Sequence, residues 1–246
     1  MAVKKFVSWV VTIPFLVTFG AVLVAYDAVG RVVRPFSLTG FEWVMGALQA
    51  TLMGVFRLFG THLQLERSPL VQPRTGYLVI SNHQSLFDIA LIGGALFSNL
   101  PKYVAKAELG RWIPSVSLNL KKGGHALIDR ANAAQALAEI RSFGRRVQER
   151  NRSAVIFPEG SRSRDGTLKP FKRAGARALL EAADRLPVVP VAVSGSWQLN
   201  RMWPFQPGAT VRVWIGDPIA RSAGDAAERL REARDWIASR VEVRDT

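Results

Sequence analysis

Apolar positions follow three regimes along this chain. The first is unbroken: Phe6 to Tyr26 carries no charged residue. At about 20 residues per crossing, such a run is long enough to span a bilayer as a helix. Pro14 and Gly20 interrupt it and predict a bend. The second regime, Phe41 to Phe59, is apolar but contains Glu42 and Arg57. Gly46, Gly54 and Gly60 predict close packing against the first segment, with Arg31, Arg34 and Pro35 between the two. Residues 1–60 therefore read as a hydrophobic two-helix membrane anchor, either a spanning hairpin or a monotopic pair lying partly immersed. The competing reading is two buried core helices. Trp9, Tyr26 and Trp43 are the amphipathic aromatics expected at a lipid interface. The run is too long for a signal-peptide core and no convincing small-x-small cleavage site follows, so it is expected to stay in the mature protein.

The third regime covers residues 61–246. Short apolar runs at Tyr77–Ile80, Ala126–Ile128, Ala154–Phe157, Val188–Val193 and Val211–Ile215 predict buried strands. Helical patterns lie between and after them, at Ala131–Arg150, Phe171–Leu186 (stopped by Pro187) and Ala226–Val241. In the last, Leu230, Ala233, Trp236 and Ile237 share one face. Strands alternating with helices predict an α/β domain with a largely parallel sheet flanked by helices. No internal repeat or low-complexity segment stands out.

Charge narrows the partners. Lys and Arg number 33 against 19 Asp and Glu, a formal charge of +14. Such an excess predicts an anionic partner: an anionic membrane surface, a phosphorylated substrate or nucleic acid. Stacking on bases needs aromatics interleaved with basic residues. Here the aromatics concentrate in apolar runs and at the N-terminus, so nucleic acid is not expected, although a basic membrane-surface or nucleic-acid-binding protein stands as the alternative of another class. The chain has no cysteine, which excludes disulfides and thiolate nucleophiles. His62, His83 and His125 are widely spaced, so no zinc site is expected.

The stretch richest in chemistry is Ser81-Asn82-His83-Gln84-Ser85-Leu86-Phe87-Asp88, between the Tyr77–Ile80 strand and a helix starting at Ile89–Ile92. Positions five apart on a regular helix point roughly 140° apart, so His83 and Asp88 meet only if His83 lies in the loop and Asp88 in the first turn. A carboxylate on one ring nitrogen fixes the tautomer and leaves the other nitrogen free as a base. The bland reading is a capping box, Ser85-x-x-Asp88, in which Asp88 only caps a helix. A second stretch, Val155 to Arg164, presents Glu159, Gly160, Ser161 and Arg162 after a strand, with Lys169, Lys172 and Arg173 close behind. Arg162 suits bidentate capture of a phosphate, whereas a plain solvated basic loop is the alternative. Gly124 to Arg130 is a strand ending in Asp129 and Arg130, by itself readable as a surface salt bridge. Val104 to Leu109 puts Lys106 ahead of an apolar patch, and Val189 to Val193 is a strand expected to form a wall.

Together these blocks resemble the glycerolipid acyltransferase family, most closely its bacterial 1-acylglycerol-3-phosphate acyltransferases. Asn82 to Asp88 is similar to the family's Asn-His-x4-Asp block, Gly124 to Arg130 to its Gly-x4-Asp-Arg block, Phe157 to Ser163 to its Phe-Pro-Glu-Gly-Thr-Arg-Ser block, and Val189 to Val193 to its Val-Pro-Val block. The chain departs at Ser161, where the family carries Thr, and at His125, Ala126 and Leu127, where it often carries aliphatic and aromatic residues. The resemblance implies acyl transfer from acyl-CoA or acyl carrier protein to the free hydroxyl of a lysophospholipid, with no metal and no resident cofactor. It implies His83 as base, Asp88 as its orienting carboxylate, and Lys106, Arg130 and Arg162 on the acceptor phosphate. Glu159 is expected to hold either the loop or an acceptor hydroxyl, Gly160 and Ser161 belong to the same substrate-binding loop, and the turn after His83 offers amides for the oxyanion. It also implies membrane lipids as partners, at a bacterial inner membrane with the catalytic domain on the cytoplasmic side.

Overall fold

The apolar runs assemble into one seven-stranded sheet in a computed structural model that describes residues 2–111, 113–222 and 224–241. The strands are β1 (His62–Arg67), β2 (Leu78–Ser81), β3 (Lys102–Lys106), β4 (Ala126–Ile128), β5 (Ala154–Ile156), β6 (Val188–Ser194) and β7 (Thr210–Ile215), and the helices are α1 (Ala2–Val33), α2 (Leu38–Leu58), α3 (Asp88–Ala95), α4 (Val116–Lys122), α5 (Ala133–Glu149), α6 (Arg173–Ala182) and α7 (Ala226–Ala238). Spatial order is β1-β7-β6-β2-β5-β3-β4. All neighbours are parallel except β6 and β7. The expected α/β architecture with a largely parallel, helix-flanked sheet is what forms.

Alternation along β2 explains the layering. Leu78 and Ile80 point to one face, where α5, α6 and α7 contribute Phe143, Leu179 and Ile237. Val79 points to the other, where α1, α2 and α3 contribute Phe15, Phe56 and Leu91. Strands buried on both faces need apolar residues at every position, which is why they read as unbroken runs.

β2 sits between β5 and β6, with Leu78 opposite both Ala154 and Val188. Segments 82–88, 157–164 and 195–200 therefore leave the same edge of the sheet side by side. Carboxyl ends of adjacent parallel strands are where α/β folds gather functional groups.

The apolar N-terminal pair divides into unlike partners. The helix Phe6–Val33 is the one segment, among the described residues, long and apolar enough to cross a membrane, with a mean hydropathy of 2.2 and a mostly unburied surface. Phe6, Val10, Ile13, Val17 and Val24 are exposed, while Phe15 on the opposite face is buried and stacks on Phe205, ring centroids 3.9 Å apart. Pro14 lies inside the continuous helix.

α2 is tied into the α/β body. Ser37 caps it by accepting from Gly40 N at 2.9 Å. Its Glu42 is buried and pairs with Lys102 Nζ at 3.1 Å and Arg152 Nε at 2.9 Å. Neither fact suits a helix facing lipid. The glycines expected to join α2 to α1 lie elsewhere: Gly46 faces the Phe97 ring, Gly60 faces Pro207 and Gly54 faces open space. Close packing of α1 on α2 comes instead from Gly30, where a Cβ would lie 2.7 Å from the Met45 side chain, and that of α3 on α2 from Gly93, where a Cβ would overlap the Gln49 side-chain amide.

β1 and β3 were not expected as strands. Both are short and bounded by charged or polar residues, and β1 is an exposed edge, so neither shows a long apolar run. The expected helix Phe171–Leu186 is shorter at both ends, Arg173–Ala182, with Ala183 at its C-cap.

Candidate active site

The His83–Asp88 turn closes as the spacing allows. His83 Nδ1 lies 2.8 Å from Asp88 Oδ2. The carboxylate is fully buried and the imidazole keeps 14% of its side-chain surface exposed, so the ring bridges the interior and the opening. Phe157 stacks on the ring at 4.1 Å between centroids, tilted by 15°. With Nδ1 held, Nε2 is the nitrogen left for a substrate proton.

The same carboxylate also ties the turn before α3, but it does not cap that helix as the bland reading assigned: the N-cap is Phe87, with no side-chain cap hydrogen bond. Asp88 Oδ2 also accepts from Gln84 N at 2.7 Å and Ser85 N at 2.8 Å. One oxygen thus orients the ring and holds the turn that precedes α3. The expectation for the oxyanion is narrowed here: the Gln84 and Ser85 amides already donate to Asp88, and Phe87 N to Ser85 Oγ, so of the turn after His83 the Leu86 amide is the candidate that remains. The opposite oxygen, Asp88 Oδ1, accepts from Ser196 Oγ at 2.5 Å.

Ser196 and Asn200 are contributions that sequence reasoning missed. They lie in the 3-10 turn Ser196–Asn200 just after β6. Asn200 Nδ2 donates to Gln84 O at 2.9 Å, and its Oδ1 accepts from Ser85 Oγ at 3.0 Å. Gly195 makes the delivery of Ser196 possible: it sits at φ +84°, and a Cβ there would run into the Thr210 carbonyl oxygen. The available signal was Ser194-Gly195-Ser196 at the end of a buried strand next to β2.

The Glu159 loop is laced to the catalytic turn. Glu159 Oε1 accepts from His83 N at 2.6 Å, and Oε2 from Lys169 N at 3.0 Å. Ser163 N donates to His83 O at 2.7 Å. Gly160 takes φ +68°, and its carbonyl accepts from Arg130 Nη1 at 2.7 Å. Arg130 thus reaches the loop from the end of β4. Lys169 Nζ donates to Arg162 O at 2.7 Å and Ser161 Oγ at 3.3 Å. The Arg162 side chain is exposed, with no hydrogen bond or ion pair to any described residue. Lys106 ends β3 opposite Ile128, two residues before Arg130, and its ammonium pairs with Glu108 at 2.6 Å. The structure therefore brings His83, Asp88, Arg130, Glu159, Gly160, Ser161 and Arg162 to one edge, and places Lys106 beside them with its charge already paired.

Burial pushes the Glu159 carboxyl up to about 7, against the pull of the His83 and Lys169 amides and the Lys169 charge. Its ordinary value is 4.5. Between those values the folded protein holds a proton that the unfolded chain releases. This group's contribution to stability is therefore complete below pH 4.5 and is lost as pH rises through about 7. From pH 5 to pH 8, the wild type should lose roughly 2 kcal/mol more stability than Glu159→Gln. Thermal unfolding of both in detergent at the two pH values measures it, and identical pH dependence would remove the assignment.

An imidazole oriented by a buried carboxylate, opening beside a cationic loop at the carboxyl edge of a parallel sheet, defines an α/β protein equipped for proton abstraction near an anion. Comparison with known proteins gives the lineage. A family model described as "Acyltransferase" matches residues 62–194, which contain all four sequence blocks, and the chain belongs to that family. It is 35% identical over 151 residues to the 1-acyl-sn-glycerol-3-phosphate acyltransferase of Cocos nucifera, covering 59% of this chain and 46% of that one. It is 28% identical over 203 residues to the Homo sapiens 1-acyl-sn-glycerol-3-phosphate acyltransferase beta, covering 81% and 67%. The chain spans about half the length of most of the relatives it matches. The crystal structure of the 1-acyl-sn-glycerophosphate (LPA) acyltransferase of Thermotoga maritima superposes with a TM-score of 0.77 at 26% identity, over 97% of this chain and 96% of that one.

Proposed function

We propose that this protein transfers a fatty acyl group from acyl-CoA or acyl carrier protein to the sn-2 hydroxyl of 1-acylglycerol-3-phosphate, giving phosphatidic acid. The observation that carries the reading is the His83–Asp88 pair at 2.8 Å, laced by main-chain bonds to a loop whose Arg162 guanidinium is unpaired. The names and reach of the relatives support the substrate.

In this mechanism Nε2 of His83 takes the proton of the acceptor hydroxyl, and Asp88 stabilises the imidazolium. The oxygen attacks the thioester carbonyl, and the thiol leaves with the proton. An acyl-enzyme is not invoked. There is no cysteine, and the serine hydroxyls at the turn are committed, Ser85 to Asn200 and Ser196 to Asp88. Arg162 holds the acceptor phosphate, Arg130 sets the loop through Gly160, and Lys106 adds charge at the rim. Thiol release from acyl-CoA and from acyl carrier protein, with a panel of lysophospholipids and a lyso-aminolipid, tests the reading. Lysophosphatidic acid is expected to be the preferred acceptor. Preference for the lyso-aminolipid, with lysophosphatidic acid inert, overturns it.

We place the enzyme at the cytoplasmic face of a bacterial inner membrane, seated by the exposed apolar face of α1 with α2 as its support. Both helices bury core residues, so truncation would test folding instead of anchoring. Substituting aspartate for the exposed Val10, Val17 and Val24 should move the protein from the membrane fraction to the supernatant in low and high salt alike. Unchanged fractionation would remove α1 as the anchor.

A further inference from the structure

The sheet has a second charged end. β3 runs from Lys102 to Lys106, about 13 Å at the usual rise of a strand. Lys106 faces the candidate active site, and Lys102 faces away from it. Around Lys102 lies a cavity of about 400 Å³ between α2, α4 and α5. Arg34, Lys121, Lys122, Arg150 and Arg152 join Lys102 in its walls, and Glu42 is the single carboxylate among the lining residues.

That carboxylate is already shared by Lys102 and Arg152. Arg146, also in the wall, is paired with Glu139 at 2.8 Å. Arg34 donates to the Lys122 carbonyl at 3.1 Å, which satisfies a nitrogen and leaves its charge uncompensated. The side chains of Lys121, Lys122 and Arg150 make no hydrogen bond or ion pair with any described residue. Like charges gathered in one concavity repel, and a bound anion relieves the repulsion. Lys102 records the strain: burial lowers its ammonium to about 8 despite Glu42, and Arg152 and Arg150 push it the same way.

The mouth of the cavity is not purely polar. Leu38 and Val147 are among the residues lining the cavity, Val147 from the buried core. Val32 and Phe36, on either side of Arg34 at the α1–α2 turn, are 67% and 87% exposed. An apolar lip beside a cationic hollow suits a molecule with an anionic head and apolar chains.

The geometry points to this cavity as a second anion site, taking the phosphate head of an anionic membrane phospholipid apart from the reacting acceptor, and so tying the protein's seating to the charge of the membrane. The inference rests on the membrane reading above. The full chain and two triple variants are compared for binding to vesicles of phosphatidylcholine, with and without phosphatidylglycerol, which carries the phosphate but is neither acceptor nor product. Lys121→Gln, Lys122→Gln and Arg150→Gln remove three exposed, unpaired cations of the cavity. Arg141→Gln, Arg145→Gln and Arg231→Gln remove the same charge from exposed positions outside the cavity lining.

The wild type should bind the anionic vesicles about tenfold or more tightly than neutral ones. The cavity variant should lose most of that preference, while its affinity for neutral vesicles stays the same. The other triple should keep the preference within about threefold. Equal losses in both triples mean diffuse surface charge and overturn the site. A cavity variant with wild-type preference overturns the lipid assignment. If inorganic phosphate alone stabilises the wild type against heat but not the cavity variant, and the vesicle preference is intact in both, the site serves a free phosphate and the lipid assignment is overturned. Binding to neither vesicle sinks the membrane reading itself, and with it this inference. Equal binding to both vesicles sinks the inference alone.

Discussion

His83→Ala is expected to lower kcat by about 10²–10⁴, the usual share of a general base, while the protein stays folded. The ring stacks on Phe157 and holds one hydrogen bond to Asp88, and the turn around it rests on other contacts. Asp88 Oδ2 holds the Gln84 and Ser85 amides, and Glu159 holds the amide of residue 83 through its backbone, which alanine keeps. Asp88→Asn is expected to cost less than His83→Ala. An asparagine oxygen at the Oδ2 position still accepts from Gln84 N, Ser85 N and His83 Nδ1, so ring and tautomer stay in place. Its NH2 then faces Ser196 Oγ, a hydroxyl that can rotate from donor to acceptor. What is lost is the charge that stabilises the imidazolium. Asp88→Ala, by contrast, leaves two turn amides and the Ser196 hydroxyl without their acceptor and should destabilise the protein as well. Steady-state rates with melting curves for the three variants separate chemistry from folding. A folded His83→Ala protein turning over near the wild-type rate ends the mechanism.

The catalytic turn was legible because its parts are local. A strand of continuous apolar residues, a turn, and a Ser-x-x-Asp start of a helix are written within residues 77–92, and five residues between imidazole and carboxylate limit how they can meet. The sheet class was legible for a similar reason, since β2, β5 and β6 are buried on both faces and show it residue by residue. What lies across the sheet was not. Nothing in residues 188–200 announces that β6 will lie next to β2, and only that adjacency brings Ser196 to Asp88 and Asn200 to Gln84. The oxyanion expectation narrowed because amides were counted before their acceptors were known. The equivalence of α1 and α2 failed because hydropathy averages over a helix. Glu42 marked the buried, polar-bonded side of α2, and a single carboxylate hardly alters a mean. Edge strand β1 escaped because exposure lets polar residues occupy most of its positions.

Arg162→Ala should weaken use of the phosphorylated acceptor by about 2 kcal/mol, roughly thirtyfold in kcat/KM, with little change in dependence on the acyl donor. The guanidinium sits one residue before Ser163, whose amide is bonded to the His83 carbonyl, so the loop carries it beside the base. Every other constraint on the loop acts through neighbours: Arg130 on Gly160 O, Glu159 on two amides, and Lys169 on the carbonyl of residue 162. Removing the Arg162 side chain therefore leaves the loop's scaffold in place, and the loss reports on the ligand. A lysophosphatidic acid phosphate carries between one and two negative charges near neutral pH, its second ionisation lying at about 6. A guanidinium grips such a group with two parallel hydrogen bonds, whereas an ammonium acts as a point charge. Arg162→Lys should accordingly fall between wild type and Arg162→Ala, keeping the charge and losing the geometry. An acceptor lacking the phosphate should be used equally by all three proteins. Kinetics with each substrate varied in turn decides the matter. If Arg162→Ala raises the apparent constant for acyl-CoA and leaves that for lysophosphatidic acid untouched, Arg162 serves the donor, and the acceptor phosphate must be held elsewhere on the edge.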